Sequence, residues 1–374
     1  MPLVVIAPDK FKGSLTAPEV AQAVAKGIAA VAPDAELRLV PVADGGDGTL
    51  DAALGGPFEA APVTASGPTG EPVETRYARH GDTAVVEMAD VSGLSRLPGG
   101  TLDPMSATSR GTGEVVAAAL DAGCRKVVLG IGGSASTDGG AGLLVALGAR
   151  LLDAAGRPVA EGGGALTDVV SLDLTTLHPG LADAEVVVAC DVDSPLTGPD
   201  GAAAVFGPQK GASHDQVRDL DHALSHWADL VAAATGADVR DAPGAGAAGG
   251  VGFAAMAMLG ARLEQGVALV LDLLDFEALV AGADLVVVGE GSLDVQSLRG
   301  KAPVGVAAVA RAHGAEVVAV CGRRLIDDAT LQAAGISAAY ACADLEPDPA
   351  RSMSEAARLL ERIGSDLAGA HLPG

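Results

Sequence analysis

The sequence predicts an α/β fold of two domains with a ligand site in the cleft between them. Three observations support this. Short apolar strands alternate with helical stretches near both ends of the chain, a pattern typical of parallel sheets covered by helices. The middle opens with segments of alternating polarity, which indicate an antiparallel meander. Twice, at residues 127–142 and 285–301, a β-branched apolar run ends in a glycine cluster with acidic side chains.

The first 42 residues predict a βαβ unit. Residues 3–7 are an apolar strand, and residues 37–42 are a second one. Between them, Thr16-Ala-Pro-Glu19 matches a capping box with proline in the first turn, so a helix begins there and continues to about Val31.

The last 90 residues repeat this alternation. We predict strands at residues 285–288, 317–320 and 338–341, and helices at residues 304–313, 329–334 and 355–363. Because both ends share the pattern, we expect them to form one discontinuous, Rossmann-like parallel-sheet domain from residues 1–66 and 283–374.

Residues 67–282 predict an inserted mixed α+β domain. GPTGEP and HGD turns separate alternating segments at its start. We predict strands at residues 60–64, 73–78, 83–88, 126–131 and 185–189, and helices at residues 113–122, 139–147, 214–234 and 251–263. The insertion would supply one wall of the cleft that holds the active site.

Charge excludes several partners. The 374 residues carry 24 basic and 48 acidic side chains, a net charge of −24, which repels nucleic acid and anionic membranes. An anionic substrate therefore needs a local basic pocket. Aromatic residues are only 2% of the chain, so contacts to nucleotide phosphates are favoured over base stacking.

Cysteine usage and hydropathy predict a cytoplasmic protein. The four cysteines are widely spaced and form no CxxC pair, which fits buried, reduced thiols. The start has no basic region or apolar stretch of signal-peptide length, and no run approaches the ~20 apolar residues of a membrane span.

The first predicted strand ends in Asp9-Lys10-Phe11-Lys12-Gly13-Ser14, at the edge where parallel sheets bind ligands. Lys12 and Ser14 would meet an anion at a helix N-terminus. The alternative is a solvated turn whose lysines only balance charge.

The second predicted strand ends in Asp44-Gly45-Gly46-Asp47, where flexible backbone lets two carboxylates reach one cation or one substrate hydroxyl. A tight turn that caps the next helix remains the alternative.

The first glycine loop combines Gly132, Gly133 and Ser134 with two further hydroxyls and Asp138. At a strand-to-helix junction, its amides and hydroxyls would surround phosphate oxygens, and Asp138 would orient a metal or a substrate water. The simpler interpretation makes Asp138 a helix N-cap and the glycines packing spacers.

Two further acid and lysine groups follow strands. Asp191 ends a buried strand and Lys210 comes shortly after, which suits proton abstraction from an alcohol beside an anionic group. A structural salt bridge explains them equally well. Glu290, Asp294 and Lys301 repeat the pattern in the second glycine loop, which also contains Gly289, Gly291 and Arg299.

The loops match neither the Walker A pattern nor the dinucleotide fingerprint. No GxSxG serine motif occurs, and no histidines show zinc-ligand spacing.

Taken in order, the motifs resemble those of the type-1 glycerate kinases, bacterial enzymes that phosphorylate D-glycerate with ATP, mostly to 2-phosphoglycerate. The resemblance spans nearly the whole chain. It includes APDKFKGSLTAPEVAQAV, PVADGGDGT, TSRGTGEV, GIGGSASTDGGAG, CDVDSPLTGPDGAAAVFGPQKGA, GAAGGVGFA and GEGSLDVQSLRGKAPVGVA.

The resemblance implies ATP and Mg²⁺ as cofactors and glycerate as the small-molecule substrate; it implies no oligomeric state. The implied catalytic residues are Asp191, Asp294, Lys12 and Lys210. The implied nucleotide or phosphate ligands are Gly132, Gly133, Ser134, Asp138, Gly289, Glu290, Gly291 and Lys301. The implied substrate ligands are Ser14, Asp44, Gly45, Gly46 and Arg110, and the implied metal ligands are Asp44 and Asp138.

The chain departs from the family pattern at several positions, notably Asp47, Arg110, Thr137, Asp193-Ser194 and Ser292. The family commonly has arginine where Ser292 stands, so a cation is lost there, which Arg110 or Arg299 would have to supply. Two alternatives stay open: a kinase for another small hydroxy acid, and a non-catalytic sensor of sugar acids or nucleotides.

Overall fold

A computed structural model of the chain describes residues 1–298 and 300–372. It forms two compact units. Unit 1 comprises residues 1–44, 51–57 and 265–374, and unit 2 comprises residues 45–50 and 58–264. No helix in the described part of the chain is both long and apolar enough to cross a membrane.

The strands are, in chain order, β1 (Leu3–Pro8), β2 (Glu36–Leu39), β3 (Glu59–Ser66), β4 (Pro72–His80), β5 (Thr83–Glu87), β6 (Lys126–Gly130), β7 (Arg150–Leu152), β8 (Ser171–Asp173), β9 (Glu185–Ala189), β10 (Arg262–Glu264), β11 (Leu285–Leu293), β12 (Glu316–Arg324) and β13 (Ala338–Ala341). The α-helices are α1 (Ala17–Val31), α2 (Thr49–Leu54), α3 (Ala89–Ser92), α4 (Arg110–Asp121), α5 (Ala141–Ala146), α6 (Ala202–Phe206), α7 (His214–Thr235), α8 (Val251–Leu259), α9 (Gly266–Leu273), α10 (Phe276–Val280), α11 (Ala302–Ala312), α12 (Asp328–Ala333), α13 (Cys342–Leu345), α14 (Pro349–Ser354) and α15 (Ala356–His371).

Unit 1 contains a parallel sheet in the order β13-β12-β11-β1-β2. Val4 and Ile6 pack with α1 and α15 on one face, and Val5 and Ala7 pack with α9 and α11 on the other. Because both faces are covered, the strands are continuous apolar runs, and the predicted α/β class with a parallel sheet is confirmed.

Helix α1 begins as the sequence predicts. Thr16 donates from its backbone N–H and its hydroxyl to Glu19 Oε2, at 2.8 and 2.9 Å, and proline lies in the first turn. The helix then packs closely on α15, where a Cβ added to Gly27 would lie 2.0 Å from the Glu361 carbonyl oxygen.

Unit 2 contains a separate mixed sheet in the order β10-β9-β6-β5-β4-β3. The pairs β3–β4 and β4–β5 are antiparallel, which confirms the predicted meander, whereas β5, β6, β9 and β10 run parallel. One core joins these strands to α4, α5, α7 and α8.

Several predicted elements end at other residues in the structure; for example, β2 ends at Leu39 and α15 continues to His371. The helix expected at residues 251–263 ends at Leu259, because Gly260 adopts a left-handed φ of 62°, and β10 follows it. The strand expected at residues 285–288 continues to Leu293, because β12 pairs with it as far as Arg324. The start of the second glycine cluster is therefore strand rather than loop.

Candidate active site

The carboxyl edge of the unit 1 sheet gathers three carboxylates. Asp9 follows β1, and its backbone N–H donates to the Gly289 carbonyl oxygen of β11 at 2.8 Å. Glu290 is the next residue of β11, and Asp44 follows β2. Parallel pairing of β1 with both neighbours places all three at the same edge.

Burial, together with nearby carboxylates, raises the pKa of Asp9 and of Glu290. Burial, followed by repulsion from Asp44, raises the pKa of Asp9 to about 7, although Lys10 opposes the shift and donates its backbone N–H to Asp9 Oδ1 at 2.6 Å. Burial likewise raises the pKa of Glu290 to about 7; a hydrogen bond from the Ser297 side chain and the charge of Lys301 oppose the shift, and Asp294 and Asp44 add to it. Glu290 Oε1 is buried and has no hydrogen-bond partner among the described residues. This edge therefore has unbalanced negative charge.

Lys12 and Ser14 lie in a tight turn at the same end of β1. The turn is closed by backbone hydrogen bonds between Phe11 and Leu15. The Lys12 side chain is exposed, whereas the Ser14 hydroxyl donates to the Met353 carbonyl oxygen at 2.6 Å. Lys12 is thus accessible to a ligand.

Asp294 directly follows β11, and Lys301 directly precedes α11. Asp294 Oδ1 accepts the backbone N–H groups of Gln296 and Ser297, at 2.7 and 3.3 Å. Lys301 is the N-cap residue of α11 and is half-buried. Arg299, named above as a possible cation, lies outside the described residues.

Ser292 has a partner that the sequence did not reveal. Arg323 donates from Nε to the Ser292 hydroxyl at 3.1 Å. The other candidate cation, Arg110 in unit 2, donates to Glu114 at 2.8 Å and to Glu161. Arg323 of β12 therefore places a guanidinium beside Ser292, the position at which the sequence predicts that a cation is lost.

In unit 2, Asp138 anchors the first glycine loop. The side chain is fully buried, and Oδ2 accepts the Ser109 N–H and hydroxyl, both at 2.8 Å, and the Gly142 N–H at 3.1 Å. Oδ1 accepts the Gly140 N–H at 3.1 Å. Four hydrogen bonds favour a structural role, and the metal-binding role of Asp138 stays a prediction.

The buried Lys210 side chain holds the same loop through hydrogen bonds. Only 2% of it is exposed, and Nζ donates to Ser134 Oγ at 2.8 Å and to the Ser136 carbonyl oxygen. Burial lowers the pKa of this ammonium to about 7, against the attraction of Asp138. The hydroxyls of Ser136 and Thr137 are buried beside it without a hydrogen-bond partner in the described chain.

The segment Gly45–Leu50 of unit 2 lies against this loop. A Cβ added to Gly132 would lie 2.7 Å from Gly46 Cα. Glu87, at the end of β5, accepts the N–H groups of Gly48 and Leu50, at 3.1 and 2.9 Å. Sequence reasoning missed Glu87, although an acid that ends an apolar strand was a usable signal.

Asp191 lies two residues after the end of β9, and its side chain is exposed, unlike those of Asp138 and Lys210. Across the described residues, no group of three or more His, Cys, Asp or Glu side chains is close enough to form a preassembled metal site.

Comparison with known proteins identifies the family. The sequence model of the glycerate kinase family matches residues 4–371. Glycerate kinase of Bacillus subtilis (strain 168) is 45% identical over 371 residues, 98% of this chain and 96% of the relative. Glycerate 2-kinase of Escherichia coli (strain K12) is 46% identical over 342 residues, 90% of this chain and 89% of the relative. A crystal structure assigned to glycerate kinase 2 of Salmonella typhimurium LT2 is 41% identical, has a TM-score of 0.85 and covers 99% of this chain and 98% of its own.

Proposed function

The chain belongs to the glycerate kinase family, and from this premise we propose that it transfers the γ-phosphoryl group of ATP to the C2 hydroxyl of D-glycerate with Mg²⁺. Membership makes the chain a phosphotransferase and implies ATP as the donor. The name of the E. coli relative supports the 2-position. Phosphoryl transfer depends mainly on positioning and electrostatics, so the charged side chains of the site are expected to carry most of the catalysis.

The proposal rests mainly on the cluster of three carboxylates formed by Asp9, Asp44 and Glu290. Carboxylate oxygens suit Mg²⁺, which usually binds through one or two carboxylates plus substrate phosphates rather than a complete protein cage. The raised pKa values of Asp9 and Glu290, and the Glu290 Oε1 without a hydrogen-bond partner in the described chain, fit carboxylates that a bound cation would stabilise. We assign Asp44 and one of its two neighbours to the metal. When bound, Mg²⁺ neutralises charge on phosphate oxygens.

The phosphate groups would be held by backbone and lysine. In unit 2, Gly132, Gly133 and Ser134 offer amides and a hydroxyl that Lys210 holds in place from behind. In unit 1, the backbone at Gly289–Gly291 and the Lys301 ammonium are the corresponding groups. Lys210 would thus act by positioning the loop, not by touching substrate.

The acceptor would be activated by a carboxylate. Asp191 is the first choice to orient or deprotonate the C2 hydroxyl, because it is exposed at a strand end. Asp294 is the second, because backbone N–H groups already occupy Oδ1. Lys12 would offset charge on the transferring group, and Ser14, Gly45, Gly46 and Arg110 stay predicted contacts to glycerate.

The test is a coupled ADP-release assay with D-glycerate, ATP and Mg²⁺, with the product resolved as 2- or 3-phosphoglycerate by NMR. We expect turnover of about 1–100 s⁻¹, the usual range for kinases. Asp191→Asn should lower kcat at least about 100-fold, a typical effect of losing a general base. The neighbouring Asp193→Asn is the matched control, because Asp193 is also exposed, and it should retain wild-type kcat.

Other outcomes separate the alternatives. Turnover only with another hydroxy acid would identify a kinase of different specificity, and binding of ATP without turnover on any acid would identify a sensor. An Asp191→Asn enzyme with wild-type kcat would remove Asp191 from the mechanism. Cell fractionation tests the predicted cytoplasmic location.

A further inference from the structure

Arg323 differs from its neighbour Arg324 in having no acidic partner among the described residues. It ends β12 with an exposed side chain, and no carboxylate within residues 1–298 and 300–372 forms an ion pair with it. Its neighbour Arg324 donates to Asp328 at 2.6 Å.

Ser292 fixes the orientation of this guanidinium. The register of β11 and β12 sets Ser292 beside Arg323, and Nε donates to the Ser292 hydroxyl at 3.1 Å. That single bond uses one side of the guanidinium. The two terminal nitrogens make no hydrogen bond to the described residues, and they form the planar fork that binds carboxylate or phosphate through two oxygens.

The fork lies at the ligand-binding edge of the unit 1 sheet. A Cβ added to Gly322 would lie 2.5 Å from the Gly291 carbonyl oxygen, and one added to Gly291 would lie 3.4 Å from the Lys12 backbone nitrogen. The ends of β12 and β11 and the turn after β1 are therefore in close contact. Open parallel sheets bind ligands at this edge, beyond the carboxyl ends of the strands.

We infer that Arg323, oriented by Ser292, binds an anionic group of a substrate, either a phosphate of ATP or the carboxylate of glycerate. The inference rests on the proposed function and deepens it. Asp9, Asp44 and Glu290 repel an anion at this edge, so a substrate that carries one needs a nearby cation. Lys12 and Lys301 supply point charges, and Arg323 adds the two-oxygen geometry that a lysine cannot.

The experiment compares Arg323→Met with Arg324→Met, which removes the same charge one residue away. We expect Arg323→Met to raise the KM of one substrate by about 10- to 100-fold, the range of a lost charged hydrogen bond, with kcat within about 3-fold of wild type. Arg323→Lys should recover part of the loss. Arg324→Met should leave both KM values within about 2-fold. Whichever KM rises identifies the anion as phosphate or carboxylate.

A charge-relocation variant separates binding from folding. The double variant Ser292→Arg, Arg323→Ser moves the guanidinium one strand along the same edge, and we expect it to recover much of the affinity that Arg323→Met loses. Equal thermal melting of all variants excludes a folding defect. If neither KM changes in Arg323→Met, the inference is wrong.

Failure of the proposed function has a different signature. A wild-type enzyme that does not phosphorylate glycerate overturns that function, and Arg323 is then tested by calorimetric titration with ATP and, separately, with glycerate. Weaker binding of either ligand to Arg323→Met than to Arg324→Met supports the anion site. Identical binding of both ligands to the two variants overturns it.

Discussion

The two glycine clusters look alike in the sequence but are built in different ways. In the unit 2 loop, Asp138 is fully buried and accepts four hydrogen bonds, while the Lys210 ammonium holds the same backbone. In the unit 1 strand, Glu290 is also buried, yet Oε1 has no partner in the described chain, and burial raises the pKa of this carboxyl. Hydrogen bonds within the protein occupy both oxygens of Asp138, whereas Glu290 keeps one oxygen that can bind a ligand.

This difference shows how to separate structural acids from functional ones. Buried polar groups in proteins are normally satisfied, and groups that are not tend to occur at functional sites. An acid that already accepts several hydrogen bonds has little left to offer a ligand, whereas an acid with a raised pKa gains from a cation. The comparison therefore predicts opposite consequences for changes in the two clusters.

The largest expected effect is the loss of stability in Asp138→Asn. The amide keeps one oxygen but turns an NH₂ group toward donors, and it leaves the buried Lys210 ammonium without its counter-charge. We expect the free energy of unfolding to fall by about 3–5 kcal/mol. Urea unfolding measures it, with Asp219→Asn as the control, because Asp219 is exposed and should change stability by no more than about 0.5 kcal/mol. A loss below about 1 kcal/mol in Asp138→Asn would end the structural interpretation.

A smaller effect should distinguish equivalent glycines of the two clusters. In Gly132→Ala the new Cβ would lie 2.7 Å from Gly46 Cα, so backbone must move, and we expect a loss of about 1–3 kcal/mol. In Gly291→Ala the new Cβ would meet Lys12 N and Phe11 Cα at 3.4 Å, an ordinary contact, and stability should stay within about 1 kcal/mol of wild type. Chemical denaturation of both variants checks this, and equal losses would show that the clusters are packed alike.

The strands and helices around both clusters could be predicted from the sequence, but the hydrogen-bond partners of their acids could not. Apolar runs and the Thr16–Glu19 cap are local signals, so the strands and α1 could be found from the sequence. The partners of Asp138 and Lys210 are not local: Ser109 is 29 residues from Asp138, and Ser134 is 76 residues from Lys210. Only the folded chain shows which acid is satisfied.

The same reason explains what was missed. Glu87 and Arg323 act on segments far from them in the sequence, and each lies at a strand end whose neighbour depends on sheet order. Strand order is a tertiary property, which periodicity does not reveal. The resemblance to a family supplied the substrate and the motifs, but it did not supply Arg323.

The most direct test of the comparison is a pH dependence of opposite sign in the two clusters. The folded pKa of Asp9 and of Glu290 is about 7, against ordinary values of 3.8 and 4.5. From about pH 4 to 7 the folded chain holds more protons, so these groups make the free energy of unfolding fall as pH rises. The folded pKa of Lys210 is also about 7, against 10.5, so from about pH 7 to 10 the unfolded chain holds more protons and Lys210 makes stability rise.

Two variants should each remove one limb of this profile. Measured by urea unfolding in buffer free of divalent cations, Glu290→Gln should be more stable than wild type at pH 8 and unchanged at pH 4, because only the charged form is penalised. Lys210→Met should lack the rise in the free energy of unfolding between about pH 7 and 10 that the Lys210 ammonium gives the wild type. Added Mg²⁺ should stabilise the wild type at pH 8 more than it stabilises Glu290→Gln, since the cation supplies the charge that this edge lacks. If the pH profiles of all three proteins were parallel, neither Glu290 nor Lys210 would have a shifted pKa. The proposal that acids of the second cluster bind the metal would then be wrong.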